Sequence, residues 1–338
     1  MVKFCTSLLL LVPCLLVFGQ KKREKDSTAI ISYADKFVVK INVDTQTDTY
    51  TLRNNIDGTN LSITPNNNYR LFLSLDYQFL GLSIGFSPTF FSGNNDDDLK
   101  GESSFSDFRF RAALGQWVQG FQISSIKGYY VENTGDFIPD WVEGVDPYIQ
   151  ISNLTSRIYG MSTSYVFNPN FSFRNVIYNT EWQKKSTGSF IPTLFYSYDP
   201  FSYELEDFKS KENVFPIRLS LAYYYTVVIH DNWFIAANLS PSLGVRFSKL
   251  KLTINDISTQ ENNTYFTTGL EGGLQIGYAS RKIVFGTGFT FDVYWNDEDR
   301  LGAVENDKIY GLIYFGYRFN TPGFIDRAYN KFAKKIGI

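Results

Sequence analysis

The chain has 338 residues, 17% of them aromatic, and a formal net charge of −2. A charge so close to neutrality gives no electrostatic basis for binding nucleic acid, so no nucleic-acid partner is predicted. The two cysteines, Cys5 and Cys14, lie in an N-terminal segment that we expect to be removed. This excludes disulfides, cysteine-based zinc sites and cysteine nucleophiles from the mature protein.

Residues 1–19 have the layout of a secretory signal peptide. Basic Lys3 precedes an apolar run over residues 8–18, and small Gly19 precedes polar Gln20. Cys14 raises a lipid-anchored start as an alternative, but the apolar run continues past it. We expect cleavage near Gly19 and a periplasmic N-terminal segment over residues 20–35.

After this segment the sequence contains no run of 18 apolar residues, so no membrane-spanning helix is predicted. Long segments alternate in hydrophobicity instead: in residues 216–230 the odd-numbered positions are apolar or tyrosine and most even-numbered ones are polar or small, and residues 233–247 repeat the pattern. Side chains of a strand alternate between two faces. A soluble sandwich shows such alternation in strands of about 5 to 6 residues, whereas a tilted bilayer crossing takes about 9 to 11.

The predicted fold is therefore all-β: a transmembrane antiparallel up-and-down β-barrel over residues 36–320, placed in the bacterial outer membrane. Short turns of such barrels face the periplasm and longer loops face outwards. Tight turns are predicted at residues 79–81, 115–117, 168–170, 199–200, 230–232 and 279–281. Their alternation with longer connections predicts about fourteen strands, with twelve as the alternative because residues 36–53 and 201–208 are weak strands.

The C-terminal end carries two signals. Residues 308–320 are typical of the aromatic closing strand that barrels present to the barrel assembly machinery. In residues 321–338, Phe324, Ala328 and Phe332 recur every four positions among basic residues, which predicts a short amphipathic helix. This periplasmic tail would lie on the inner leaflet or plug the barrel mouth; a frayed terminus is the alternative.

Residues 170–190 (NFSFRNVIYNTEWQKKSTGSF) resemble the core of a Bacteroidetes outer-membrane family, the domain of unknown function 4421. Residues 76–86 and 127–132 resemble flanking segments of the same family. The similarity covers about residues 35–319 and implies a bacterial outer-membrane barrel without an established activity.

Charged side chains on the predicted non-lipid face are the candidate lumen residues, because arginine or lysine on the lipid face costs about 2 to 4 kcal/mol at the bilayer midplane. They either pair and close the lumen or line a water-filled route. The ten candidates are Asp76, Arg109, Arg111, Glu204, Glu206, Arg218, Arg246, Glu271, Asp292 and Arg318.

Gln183, Lys184, Lys185 and Ser186 form a predicted polar reversal in an outer loop. Their donors suit an anionic headgroup or sugar phosphate, and a solvated turn is the alternative. No catalytic, metal or cofactor site is predicted. The single histidine, His230, lies in a predicted inner turn, away from the outer leaflet. The acidic run of residues 94–98 with Glu102 has calcium-type oxygens, but it lacks the turn glycine and the in-register glutamate of a calcium loop.

The leading functional prediction is a non-enzymatic barrel, surrounded by outer-membrane lipids, that passes or binds a small polar solute through a charged lumen. The alternative is a closed structural or interaction barrel that uses its outer loops or basic tail. A lipid-modifying enzyme is the third possibility.

Overall fold

The computed structural model describes residues 29–46, 48–53, 60–205, 208–296, 303–305 and 308–336. The strands are β1 (Ile30–Ser32), β2 (Lys36–Asp44), β3 (Tyr50–Arg53), β4 (Asn60–Thr64), β5 (Arg70–Tyr77), β6 (Leu80–Phe86), β7 (Ser104–Leu114), β8 (Trp117–Val131), β9 (Gln150–Tyr165), β10 (Glu181–Gln183), β11 (Thr187–Leu205), β12 (Phe208–His230), β13 (Trp233–Ile254), β14 (Ile257–Ala279), β15 (Ile283–Asn296), β16 (Ala303–Glu305) and β17 (Lys308–Asn320). The α-helices are α1 (Asp97–Lys100), α2 (Phe173–Ile177) and α3 (Gly323–Ile336). Among these described residues, none of the helices has the length and hydrophobicity needed to cross a bilayer.

Twelve antiparallel strands close a barrel. The order is β8-β7-β6-β5-β2-β17-β15-β14-β13-β12-β11-β9, and the pairing of β9 with β8 completes the circle. The chain is thus an all-β transmembrane barrel with a short C-terminal helix, as predicted. The preferred count of fourteen strands is wrong and the alternative of twelve is confirmed.

The overcount has a physical cause in residues 166–205. The turn at residues 168–170 does not start a barrel strand, because the chain folds into the lumen until residue 186. The turn predicted at residues 199–200 does not exist, since β11 runs unbroken through Asp199 and Pro200 in register with β12. Two predicted strands disappear, and the up-down alternation is preserved.

The alternating pattern faces the way the sequence predicts. On β12 the exposed side chains include Ile217, Leu219, Leu221 and Tyr223, while Ser220 and Ala222 are buried. The apolar outer face is what a bilayer requires, and the inner face carries the polar groups that would be costly in hydrocarbon.

Five short strands lie outside the twelve-strand circle. β16, β3 and β4 attach to the end of β8 beyond its pairing with β7, at the end of the long connections. β1 pairs with β10 inside the opposite end. The inward segment, defined as residues 166–186, therefore joins β9 to β11 and carries α2 and β10.

Helix α3 packs at the same end as the short turns. The Tyr329 ring contacts Tyr77 (5.3 Å) and Phe79 (5.7 Å) beside the β5–β6 turn, and the Tyr77 hydroxyl donates to Asp326. Its basic residues remain exposed. The predicted helix is confirmed, and it covers the rim of the barrel.

Candidate binding cavity inside the barrel

The inward segment is held together by a buried hydrogen-bond network. Ser172 caps α2 by accepting from the Asn175 amide (3.0 Å), and its hydroxyl donates to Glu181 (2.6 Å). The Gln183 side chain accepts from the Ser172 amide (2.6 Å) and donates to the Asn170 carbonyl (2.9 Å). These residues belong to the stretch that resembles the family core, so most of that stretch lies in the inward segment.

Aromatic contacts join this segment to different parts of the wall. Trp182 lies 6.0 Å from Phe234 of β13, and Phe173 lies 5.1 Å from Tyr224 of β12. Tyr178 packs with Ala113 and Val118 of β7 and β8. Burial raises the pKa of the Tyr178 phenol to about 12, so this group stays neutral at physiological pH. The segment thus spans the lumen rather than lining one side of it.

Two buried cations fix the inward segment to the wall. Lys40 of β2 donates to the Tyr178 carbonyl (3.0 Å) and the Asn179 side chain (3.3 Å), and it forms an ion pair with Asp76 (3.3 Å). Arg318 of β17 donates Nε to the Asn179 carbonyl (3.1 Å), and its guanidinium lies 4.3 Å from the centre of the Tyr33 ring. Burying a charge costs free energy unless hydrogen bonds or an opposite charge compensate for the lost water.

An apolar cluster occupies the other half of the interior. Its buried members are Ile63, Phe72, Phe105, Ile126, Tyr129, Val131 and Leu154. Tyr50 of β3 bridges it to β11, with ring centroids 5.4 Å from Phe201 and 6.0 Å from Tyr129. We call this the upper cluster; it lies towards the long connections.

A polar cavity of about 380 Å³ lies between the inward segment and the upper cluster. Val176, Ile177 and Asn179 of the inward segment contribute to its lining, and Phe72 of the upper cluster lines it as well. Charged groups on its wall are Lys40, Asp44, Arg109, Arg111 and Glu271. Its remaining polar lining includes the amides Asn42, Gln46, Asn238 and Gln275 and the phenols Tyr224, Tyr310 and Tyr314.

Most of the wall charges are paired within the protein. Arg109 binds Asp107 through both Nε (2.7 Å) and Nη2 (3.2 Å), and Arg218 binds Glu271 (2.7 Å). The Arg111 guanidinium lies over the Tyr178 ring at 4.9 Å. Amides and phenols are therefore the groups best placed to bind a guest.

The structure describes nine of the ten predicted lumen residues, and they do not all lie together. Arg109, Arg111 and Glu271 line the cavity, and Arg218 lies behind Glu271. Asp76 and Arg318 are buried beside the inward segment. Asp292 accepts from the Tyr294 hydroxyl (2.9 Å), and Arg246 pairs with Glu212 (3.5 Å). Glu204 lies outside the lumen, and Glu206 lies outside the described residues.

The predicted inward orientation of Glu204 is wrong. It lies on the outer face of the β11–β12 hairpin, where it is exposed and pairs with Lys209 (2.5 Å). A turn at residues 199–200 would have restarted the alternation and turned Glu204 inwards. Because β11 is continuous, Phe201 and Tyr203 pack towards the upper cluster and Glu204 points out.

The predicted outer-loop anion contact lies at the other end of the barrel. Ser186 Oγ accepts from the Val228 amide (2.9 Å), close to the two-residue turn after His230. Gln183 is fully buried in the inward segment, whereas Lys184 and Lys185 are exposed. The outer-loop position is wrong for all four residues, and anion binding by the exposed ones stays a prediction.

Sequence reasoning missed Lys40 and Asp44, which lie on the weak strand β2. The signal was present: Lys40, Asn42 and Asp44 alternate with Val39, Ile41 and Val43. His230 is exposed at its turn. In the part of the chain that the structure describes, no three histidine, cysteine, aspartate or glutamate side chains come together as a metal site.

A family profile described as "Domain of unknown function (DUF4421)" matches residues 24–319. The chain belongs to this family. No curated protein matches this chain significantly.

Three solved structures that resemble this chain are outer-membrane proteins with little sequence identity to it. An outer membrane channel of Pseudomonas putida matches at 10% identity and TM-score 0.38, with 84% of this chain and 95% of that chain covered. The outer membrane protease OmpT of Escherichia coli matches at 8% identity and TM-score 0.34, covering 86% and 98%. OmpT of Vibrio cholerae matches at 9% identity and TM-score 0.30, covering 84% and 98%.

Proposed function

We propose that this protein is a non-enzymatic barrel of the bacterial outer membrane that binds a small polar solute in its central cavity. The observation that supports this most directly is the polar space of about 380 Å³ within a barrel whose outer face is apolar. Its volume lies in the range of small-molecule pockets, about 300 to 1,000 Å³. The signal peptide over residues 1–19 is part of the proposal; a mature N-terminus near Gln20 would support it.

The wall chemistry favours a solute without net charge. Lys40, Arg109 and Glu271 each have a partner of opposite charge within the protein. The other two wall charges, Asp44 and Arg111, have opposite signs, which suits a zwitterion better than a net charge. A charged solute would have to compete with those pairs, whereas a hydroxylated or zwitterionic solute can bond to the amides and phenols without breaking them. Passage through the barrel would require two movements: the inward segment spans the lumen below the cavity, and the upper cluster fills the lumen above it.

Single-channel recording tests whether a solute can pass through the barrel. We expect the wild-type barrel to conduct weakly in a planar bilayer, and a variant with residues 171–183 replaced by a glycine-serine linker to conduct more, with the upper cluster limiting the increase. If the replaced variant folds as a barrel and still conducts no more than the wild type, the solute route is wrong.

Thermal-shift screening of small polar solutes tests the cavity. Asn238→Leu removes an amide from the cavity wall and should abolish a stabilising solute effect. Asn153→Leu, at an exposed position outside the cavity, is the matched control and should leave it intact. Equal loss in both variants, or none in either, would contradict binding in the cavity.

A closed structural barrel is the second candidate. Apolar packing of both the inward segment and the upper cluster against the wall favours it. It predicts no conductance from either form of the barrel and a protein partner recovered from native membranes. Enzymatic activity has no support in the cavity; it would require that His230→Ala abolish turnover of a labelled phospholipid.

A further inference from the structure

Basic residues recur on the outer surface of the barrel just beyond its apolar band. On the outward face of β12 and β13, Phe215 lies opposite Phe247, and both rings are exposed. One step further towards the long connections, Lys249 lies opposite Asn213. One step beyond that, Lys211 lies directly opposite Lys251. All three lysines are exposed.

The same order occurs on β8 and β9, which are separate from β12 and β13 in the barrel. Ile123 lies opposite Tyr159 at the edge of the apolar band. Arg157 follows opposite Ser125, and Lys127 follows opposite Thr155. Both cations are exposed. Two groups of cations therefore lie one and two register steps beyond the band, on strand pairs separated by β11.

No described carboxylate forms an ion pair with any of these five cations. Strands β8, β9 and β13 contain no acidic residue. The single one in β12, Glu212, bonds to Arg246 and to the Ser248 hydroxyl on the other face. On the outward face of β11, Glu204 is paired with Lys209 (2.5 Å).

The facing lysines are electrostatically unfavourable by themselves. Like charges directly opposite in an antiparallel pair destabilise a sheet, yet Lys211 and Lys251 face each other with Lys249 beside them. An anion between them would remove the repulsion. Their height, immediately past the outward aromatic rings, is that of lipid headgroups, because the apolar band contacts hydrocarbon and the interface begins where it ends.

We propose that Lys211, Lys249 and Lys251 bind the phosphate of a lipid headgroup in the leaflet at the long-connection end, and that Lys127 and Arg157 form a second, smaller contact of the same kind. Short turns of such barrels face the periplasm, so this is the outer leaflet. The acyl chains would lie against Phe215 and Phe247, which continue the same surface into the bilayer.

The test measures binding of dioctanoyl phosphatidic acid to the full-length refolded barrel in an uncharged detergent. We expect the wild type to bind it at least about tenfold more tightly than dioctanoyl phosphatidylcholine, because each cation near an anionic headgroup contributes roughly fivefold in affinity. K211Q/K249Q/K251Q should lose most of this preference, with the remainder due to the smaller contact of Lys127 and Arg157, and the charge-preserving K211R/K249R/K251R should keep it in full. Salt at about 1 M should abolish it.

Controls locate the site and its occupant. K331Q/K334Q/K335Q removes three exposed lysines from α3 at the opposite end and should leave the affinity within about twofold of the wild type. If that variant loses binding while K211Q/K249Q/K251Q keeps it, the proposal is wrong. Inorganic phosphate should bind far more weakly than the lipid; equal, lysine-dependent binding would instead indicate a soluble anion and overturn the lipid assignment. None of these outcomes depends on the cavity or its solute.

Discussion

Single buried charges determine how the interior of this barrel is organised. Lys40 connects strand β2, Asp76 and the carbonyls of the inward segment, so one side chain links wall and lumen. Arg318 makes the equivalent connection from β17. A buried ion pair adds little net stability over an apolar pair, but breaking it by removing one partner is costly. The interior is therefore sensitive to single substitutions at these positions.

Lys40→Met should destabilise the barrel by about 3 to 5 kcal/mol, because it leaves Asp76 buried without its partner. Urea unfolding of the refolded protein in detergent measures this. The double variant Lys40→Met with Asp76→Leu should recover part of the loss. Lys282→Met, at an exposed rim position, is the control and should change stability by less than about 1 kcal/mol. Equal effects of both single variants would contradict the role of Lys40.

We predict that the carboxylate of Asp48 stabilises the folded protein at neutral pH and that this stabilisation is lost in acid. It lies between Arg70 (2.8 Å) and Lys308 (2.6 Å) near the upper cluster. Burial raises the pKa of its carboxyl, but the charges of Lys308 and Arg70 outweigh burial and hold the pKa below its ordinary value. A lowered folded-state pKa stabilises the protein above the unfolded-state pKa of about 3.9 and loses that effect as the pH falls below it.

Asp48→Asn should thus cost about 3 to 5 kcal/mol at neutral pH, where it leaves two cations without their counter-ion. The difference in unfolding free energy between wild type and variant should shrink as the pH falls below about 4. Denaturant unfolding at a series of pH values measures it. A difference that stays constant down to pH 2 would show that the carboxylate charge is not what stabilises this trio.

Among the elements, the inward segment separates this barrel from a simple open tube. Trp182 packs on Phe234, Ala236, Ala279 and Val284 and anchors β10 to three strands of the wall. Trp182→Ala should loosen the segment without opening the barrel, since the twelve-strand circle does not include β10. Hydrogen exchange should accelerate in residues 173–183 and stay slow in β12 and β13. The control Trp117→Ala, on the exposed outer face, should leave the exchange of the segment unchanged.

The sequence predicts barrel strands well where apolar and polar residues alternate along the whole strand. β12 and β13 alternate over more than twenty residues, and a one-residue slip would reverse every side chain, so their facing was determined by pattern alone. The prediction fails at β10 and α2 because residues 171–183 are buried or half-buried inside the barrel and show no alternation between an apolar and a polar face. Ser172, Glu181 and Gln183 are polar and still fully buried, and their partners are known only from the fold. The cavity was beyond prediction for the same reason: it lies between segments far apart in sequence.

The barrel wall is tall on one side and short on the other, because its strands differ in length. β12 and β14 have 23 residues and β13 has 22, whereas β5 has 8 and β6 has 7. A tilted crossing takes about 9 to 11 residues, so the long strands extend well past the bilayer. On the short side, β3 and β4 rise from the end of β8 and supply Tyr50 and Ile63 to the upper cluster. The upper cluster thus fills the lumen where the short wall alone could not.

The placement of the bilayer can be tested on one strand and its neighbour. Leu221 lies in the middle of the outward apolar stretch of β12, and Ile254 lies at the tip of the β13–β14 hairpin; both are exposed. Leu221→Lys should cost about 2 to 4 kcal/mol when the barrel is folded in lipid vesicles, because it places a charge near the bilayer midplane, whereas Ile254→Lys should cost about 0 to 1 kcal/mol. Urea unfolding in phosphatidylcholine vesicles measures both. Equal costs for the two substitutions would mean that the apolar face of β12 does not contact hydrocarbon, and the proposed headgroup contacts of Lys211, Lys249 and Lys251 would then lose their basis.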